Sequence, residues 1–453
     1  FGTVMSDAGG ACEYVLDPDE PQTWGGEEGE ECYVDQELLN DAGVWSCPHK
    51  VSEGDDLCIF HKDIDEKDDV EVVEEFLTLA KKDGPKKEPK REFIAAQFGE
   101  FHIDQENRHS KLNIQDINFS HTAFRGEVVW SRTQVEEASF RGVTFEEAVD
   151  LRGTAFAGSA DFTGAEFKDN SEFYATTFEG SASFSAANFE KARFNATFND
   201  SVDFSSAVFN RDCNMGSSTF NKSADFSKVE FKEDSSFRFA EFEDECQFIE
   251  VVFEHGAEFR SVSFGTEASF RKAVFYGATS FKNSSFGNEV GFYKAQFRSE
   301  VDYKGATFNE AWFGYASFED EVLFSSPYGD GNWTTFKNKA EFPNVSFRDR
   351  SRFKEVKFES GVDFSNVIFG ELADFRESIF EGDSSFRESS FNGAAQFRNA
   401  TFHNEVNLGG TQFHHDATFE GVVFSDESRF WTPTVGENTV FEGVTDFRAA
   451  DFR

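Results

Sequence analysis

No run of about 18 apolar residues occurs anywhere in the 453-residue chain, so no segment is suited to cross a bilayer as a helix. Nor does the sequence open with a basic stretch followed by an apolar one, which leaves no sign of a secretory leader. Basic residues are outnumbered, 43 against 85 acidic, for a formal net charge of −42. A surface of that sign is unsuited to holding phosphates, and direct DNA binding is not expected. The motifs of the common catalytic classes are missing as well. There is no G-x-x-x-x-G-K-[ST] phosphate loop, no dinucleotide-binding glycine pattern, no H-E-x-x-H helix and no G-x-S-x-G turn. Acid pairs are so abundant that no one pair marks a general acid and base. The expectation is a non-enzymatic protein with no catalytic residue and no organic cofactor site. Methionine is nearly absent, 2 residues against 61 Phe, and so one-sided a bias means repetition.

The Phe residues keep a rhythm. Phe162, Phe167, Phe173, Phe178, Phe184 and Phe189 are spaced alternately by five and six, an eleven-residue unit that continues to Phe452. Two residues before each stands a small side chain: Ala160, Ala165, Ser171, Thr176, Ala182 and Ala187. Positions two apart share one face of an extended segment, so both face inward. Most residues between them are polar and suit solvent. At 100° per residue, spacings of five and six would scatter the Phe around an α-helix. A flat antiparallel sheet would need a turn every few residues and leave no strand long enough to pair. What remains is a coil whose short sides turn corners and stack on the next coil by main-chain hydrogen bonds.

This pattern resembles the pentapeptide-repeat family, whose central Leu or Phe follows a small residue by two. The resemblance covers about Phe93 to Phe452 and implies an all-β fold, a right-handed quadrilateral β-helix. Because alternate units carry one extra residue, four sides are expected to take 22 residues, with two looser corners. Met215, Tyr303 and Leu408 stand at Phe positions, so the interior accepts other large apolar groups. Between Phe93 and Phe140 the large positions hold Ile103, Ile114, Phe119, Phe124, Trp130 and Val135, and irregular coils are expected. Phe194 to Phe198 is one residue short. The stretch between Phe324 and Phe336 adds residues, with Pro327, Gly329 and Gly331 marking a protruding loop. Its Tyr328, Asp330 and Trp333 are candidates for holding a partner.

Four of the six Cys lie before Lys62, in sequence poor in Phe. Cys58 and His61 are ligands at i and i+3, and Cys47 lies eleven residues earlier. With Cys12 they make a candidate structural zinc site, in a segment with too little core to fold unaided. Cys32 is the rival ligand; free thiols or two disulfides are the alternatives. The arrangement is similar to small Cys-Cys-Cys-His modules that precede such repeats in some prokaryotic proteins. Cys213 and Cys246 fall on small interior positions and are read as buried packing residues. Asp63 to Lys82 carries Val70, Val73, Phe76, Leu77 and Ala80 at helical spacing, a capping helix for the first open coil. The basic run from Lys81 to Arg91 reads as a linker, with a nucleic-acid or anionic-lipid contact as its alternative. The expected divisions are 1–61, a Cys/His module; 62–92, helix and linker; and 93–453, the β-helix.

The uniform acidity reads first as solvation in a high-salt cytoplasm. His414-His415 is read as a surface dipeptide, and the sequons at Asn195, Asn344 and Asn399 as chance products of the composition. The chain starts at Phe1, carries a plausible initiator at Met5 and stops at Arg453 directly after a repeat Phe, so a piece of a longer protein is expected. The leading functional expectation is a scaffold that binds another protein, with self-association into a homodimer left open. The alternatives are a DNA mimic that binds gyrase, as some members of the resembled family do, and the soluble arm of a longer, channel-like membrane protein.

Overall fold

The computed structural model describes residues 10–81, 91–103, 112–325, 333–429 and 438–452. They form two compact units, Phe1–Arg211 and Asp212–Arg453. Apart from the N-terminal module and a single α-helix, both are built from two- to seven-residue strands paired in parallel with the strand about one coil later. This is a parallel β-solenoid.

The corners explain the rhythm. In a five-residue step the N–H three residues beyond a buried Phe donates to that Phe's carbonyl, as in Ala165 N to Phe162 O (3.0 Å) and Ala187 N to Phe184 O (3.1 Å). The residue two beyond the Phe is left-handed, Gly164 at φ 66° and Ala186 at φ 55°. The six-residue steps turn within extended backbone, as in the strand Glu166–Glu172. Sharp and loose corners alternate, which makes the repeat eleven residues long.

In the first unit Phe145 lies opposite Phe167, and Phe167 opposite Phe189. Their ring centroids are 4.9 Å and 4.5 Å apart and nearly parallel. Rings from different sides meet edge to face, as Phe162 and Phe173 do at 88°. Each ring therefore stacks along the coil axis and presents edges to faces across it, arrangements the aromatic quadrupole favours. The short step at Phe198 is absorbed in a corner, because Phe178 and Phe198 still stack at 4.8 Å. Coils between Phe93 and Phe140 are more regular than expected, with Phe98, Phe124 and Phe145 stacking in succession at 5.1 Å. Ile103, Ile114, Trp130 and Val135 are buried beside them, since the ladder is made by backbone and needs only a large apolar filler.

Helix α1 (Asp69–Ala80) is shorter than the expected Asp63–Lys82. Asp68 caps it by accepting from Val70 N and Glu71 N at 3.0 and 3.1 Å, while Ile64–Glu66 forms a separate 3-10 turn. The buried stripe is Val72, Phe76 and Ala80; Val70 is 67% exposed. Phe76 sits 5.0 Å from Phe93 and 5.1 Å from Phe101, and Ala80 O accepts from Gln115 N at 3.0 Å. The helix thus covers rings and satisfies backbone that an open first coil would expose.

In the second unit each coil has four sides. The buried rings of the first are Phe264, Phe286 and Phe308, of the second Phe270, Phe292 and Phe313, of the third Phe275, Phe297 and Phe318, and of the fourth Phe281, Tyr303 and Phe324. Met215, Leu408, Cys213 and Cys246 are buried at their interior positions. Buried hydroxyls at small corner positions reach carbonyls one coil earlier, as Thr411 does to Phe386 O at 2.8 Å. Across the inserted loop the ladder resumes, with Thr335 and Phe336 opposite Thr307 and Phe308. Trp333 is 37% exposed. Tyr328 and Asp330 lie outside the described residues.

Candidate metal centre

Strands β1 (Val15–Leu16) and β2 (Trp45–Ser46) pair antiparallel and bring two distant cysteines together. Cys12 N donates to His49 O and Cys47 N to Tyr14 O, each at 3.1 Å. A tight turn then supplies the other two candidates: His61 N and Lys62 N both donate to Cys58 O, at 3.0 and 3.1 Å.

The result is one buried cluster. The ligand atoms of Cys12, Cys47, Cys58 and His61 all lie within 4.8 Å of one another. Cys47 Sγ is 3.7 Å from Cys58 Sγ, and His61 Nδ1 is 3.3 Å from Cys58 Sγ and 4.0 Å from Cys12 Sγ. A zinc-sized tetrahedral ion has edges of about 3.8 Å between sulfurs and about 3.6 Å between sulfur and nitrogen, so the donor set fits. The same spacing is too long for a Cys47–Cys58 disulfide. Cys32 lies outside the cluster, half-buried beside Val34 and Arg141.

The surroundings orient the donors. His61 Nε2 sits 2.9 Å from Ile94 O, so its proton belongs on that nitrogen and Nδ1 faces the sulfurs. Cys58 N donates to Cys12 Sγ at 3.2 Å, a bond that favours thiolate. The hydrogen bond from the Cys47 thiol lowers the Cys58 thiol well below its ordinary range. Tyr14 stacks on His61 at 4.0 Å, and burial pushes its phenol up to about 12. His49 is turned away, its Nε2 3.0 Å from Glu92 O and its ring against Phe60 and Phe93. Neither Tyr14 nor Ile94 carries a signal in the sequence, because aromatic stacking and a carbonyl acceptor are not spelled by spacing. Four protein donors leave a tetrahedral ion no open position, so such a site holds structure together and performs no reaction.

A second set of contacts fastens the module to the coils. Tyr33 N donates to His121 Nε2 at 2.6 Å, and Arg141 pairs with Asp35 at 2.9 Å. Gly164 makes room, since a Cβ there would lie 2.6 Å from Tyr33 Oη. His414 lies on the surface and pairs with Glu442 at 2.9 Å.

Comparison with curated proteins and with solved structures gives no match. A family model of nine-copy pentapeptide repeats matches residues 113–155, 142–188, 240–285, 342–390 and 386–432, over the same Phe-centred coils. With the stacked rings and left-handed corners described above, these matches show that the chain carries pentapeptide repeats along its coils.

Proposed function

We propose that the protein is a non-catalytic scaffold for another protein, working in a high-salt cytoplasm, with an N-terminal module held by a structural zinc ion. The single observation that supports the zinc reading is the buried Cys12, Cys47, Cys58 and His61 set at tetrahedral spacing. The scaffold reading rests on the repeat: the coils bury their rings against one another and leave ordered faces outward, a surface suited to recognition. On this reading 1–61 is the zinc module, 62–92 the capping helix and linker, and 93–453 the binding surface, with Trp333 and its loop as one anchor.

Two measurements test it. Elemental analysis of the purified protein should find one zinc per chain, falling to near zero in Cys58→Ser. Affinity capture with the full chain should recover a protein partner that is lost when Trp333 is replaced by Ala or the module is removed. A metal-free chain sinks the zinc reading, and capture unchanged by both alterations sinks the assignment of the binding elements. For the alternative of a membrane protein's arm, no helix among the described residues is long and apolar enough to cross a membrane.

A further inference from the structure

In the second unit, the residue directly after the fourth-side ring is basic coil after coil: Arg238, Arg260, Lys282 and Lys304. Backbone bonds place them in adjacent turns, from Phe239 N to Arg260 O (3.1 Å), Ser261 N to Lys282 O (2.9 Å) and Asn283 N to Lys304 O (2.9 Å). On the third side the same position changes sign. Glu319 stands between Arg298 and Arg348 there and pairs with both. The fold can therefore neutralise such a row, yet on the fourth side it sets like charges about 4.8 Å apart, where they repel. Among the described residues Arg238 and Lys282 form no ion pair, Arg238 lying instead over the Phe239 ring at 5.6 Å, and Arg260 comes no nearer to Glu258 than 3.6 Å. The Nε of Arg260 is buried with no acceptor. Only Lys304 is closely paired, with Asp302 at 3.0 Å.

Each of these turns continues into its first-side strand and then meets an acid: Glu245, Glu267, Glu289 and Glu310. Glu267, Glu289 and Glu310 are direct ladder partners, all exposed; none comes within ion-pair distance of a described basic side chain, although the row ends at Lys339, which lies opposite Glu310 and interacts with its charge. Between the two rows the strand presents Ser263, Ser285 and Thr307, side chains too small to hold a second surface away. The turns from Arg260, Lys282 and Lys304 thus read cation, slim strand, acid, whereas the turn from Arg238 carries the exposed Glu241 on that strand. The order recurs in Arg398, Thr401 and Glu405.

We infer that this face is where two copies of the chain meet. A two-fold axis parallel to the stack sets the basic edge of one copy on the acidic edge of the other, and does so on both flanks. Both rows advance one side chain per turn with the same rise, so contacts stay in register from coil to coil. An extended peptide offers same-face side chains about 6.6 Å apart and does not keep that register. A nucleic acid is repelled by the net charge of −42. Salt near 0.15 M confines the repulsion between two such acidic copies to about 8 Å while leaving contact pairs less affected. The inference is independent of the zinc reading.

The test is sedimentation equilibrium of the full chain at about 0.15 M salt, with wild type, three double variants and one mixture. Wild type should be dimeric. Glu267→Lys with Glu289→Lys, and separately Arg260→Glu with Lys282→Glu, should each raise the dimer dissociation constant by at least about 100-fold, because like charges then face each other. Mixing the two variants in equal amounts should restore a dimer, now a heterodimer, which a merely misfolded variant cannot form. Glu267→Gln with Glu289→Gln, which leaves coil packing alone, should weaken the dimer less. Wild type that stays monomeric, dimers that persist in both reversed variants, or a mixture that stays monomeric overturns the inference.

Discussion

At the scale of single residues the repeat imposes a chemical grammar on its corners. The left-handed position two beyond a buried ring suits Gly and Asn, and Asn344 and Asn399 occupy it at φ 59° and 58°, while Asn195 takes the same turn at φ 43° one beyond Phe194, where the step is one residue short. The residue two further on is a strand position rich in Thr and Ser, so the sequence Asn-x-Thr/Ser recurs from backbone need. That physical origin replaces composition alone as the reason for the three sequons. Many acids are structural in a related way: Asp161, Asp203, Asp225 and Asp363 each accept from the N–H two residues on, at 2.7 to 2.9 Å. Tyr303 departs from the grammar. It stacks between Phe281 and Phe324 at 5.1 and 4.9 Å, and its buried hydroxyl has no partner. Tyr303→Phe removes that unsatisfied group and keeps the ring, so it should stabilise the protein by about 1 kcal/mol, read as a higher denaturant midpoint. His121 gives a pH dependence. Burial, helped by the charge of Arg141, lowers its pKa from 6.5 to about 4, and Asp35 and Asp161 contact Arg141 on its far side. The unfolded state takes up this proton first, so stability is complete above pH 6.5 and is lost as pH falls towards about 4, by roughly 3 kcal/mol. His121→Gln can still accept from Tyr33 N and should flatten the profile in that window. A variant as acid-sensitive as wild type would remove His121 as the cause.

At the scale of elements, legibility followed periodicity. The Phe spacing was readable because a ladder of identical rings repeats its signal many times, and Cys213 and Cys246 were placed by the same rule. The helix was readable as a helix, but its buried face only in part: Phe76 and Ala80 were in the expected stripe and Val72 was not. Val70, Val73 and Leu77 make as good an apolar stripe as Val72, Phe76 and Ala80, and only docking on Phe93 and Phe101 decides between them. The clasp formed by Tyr33 and His121 was not legible either, since its partners lie 88 residues apart and match no motif. Gly142 and Gly164 carried a trace of it as glycines under Tyr33, but glycine is also ordinary at a left-handed corner. The N-terminal module has little interior of its own, so its order should depend on the metal. A strong chelator at neutral pH should release one zinc and open 10–61 to proteases, while the coils keep their circular dichroism spectrum, because coil contacts run only to neighbouring coils. Proteolysis that is unchanged by zinc removal would show the module held by the contacts of Tyr33 and Arg141, and of Trp24 whose ring lies 4.6 Å from that of His121, alone.

At the scale of the whole molecule the question is what a net charge of −42 does. Part of it is offset locally by rows of alternating sign, as in Arg125, Glu146 and Lys168 of the first unit and Arg298, Glu319 and Arg348 of the second. Such exposed pairs each contribute about 0–1 kcal/mol and weaken as salt rises. The surplus of carboxylates does the opposite: it repels itself in the folded state and is relieved by screening. The two effects give opposite slopes, so the direction of the salt dependence says which wins. With acidic neighbours such as Glu267 and Glu289 stacked in adjacent turns, repulsion should dominate, and the thermal midpoint should rise with potassium chloride. The range of the rise separates two causes. Screening shortens from about 30 Å at 0.01 M to about 10 Å at 0.1 M and changes little in absolute terms beyond 1 M, where it is about 3 Å. A midpoint that levels off by a few tenths molar therefore reflects repulsion alone. Adaptation to a high-salt cytoplasm requires the midpoint to keep climbing into the molar range, read at a protein concentration low enough to keep the chain monomeric so that self-association does not contribute. A flat or falling midpoint from 0.1 M upward would leave the acidity without a role in salt, and the acidic rows would then have to be explained by what they bind.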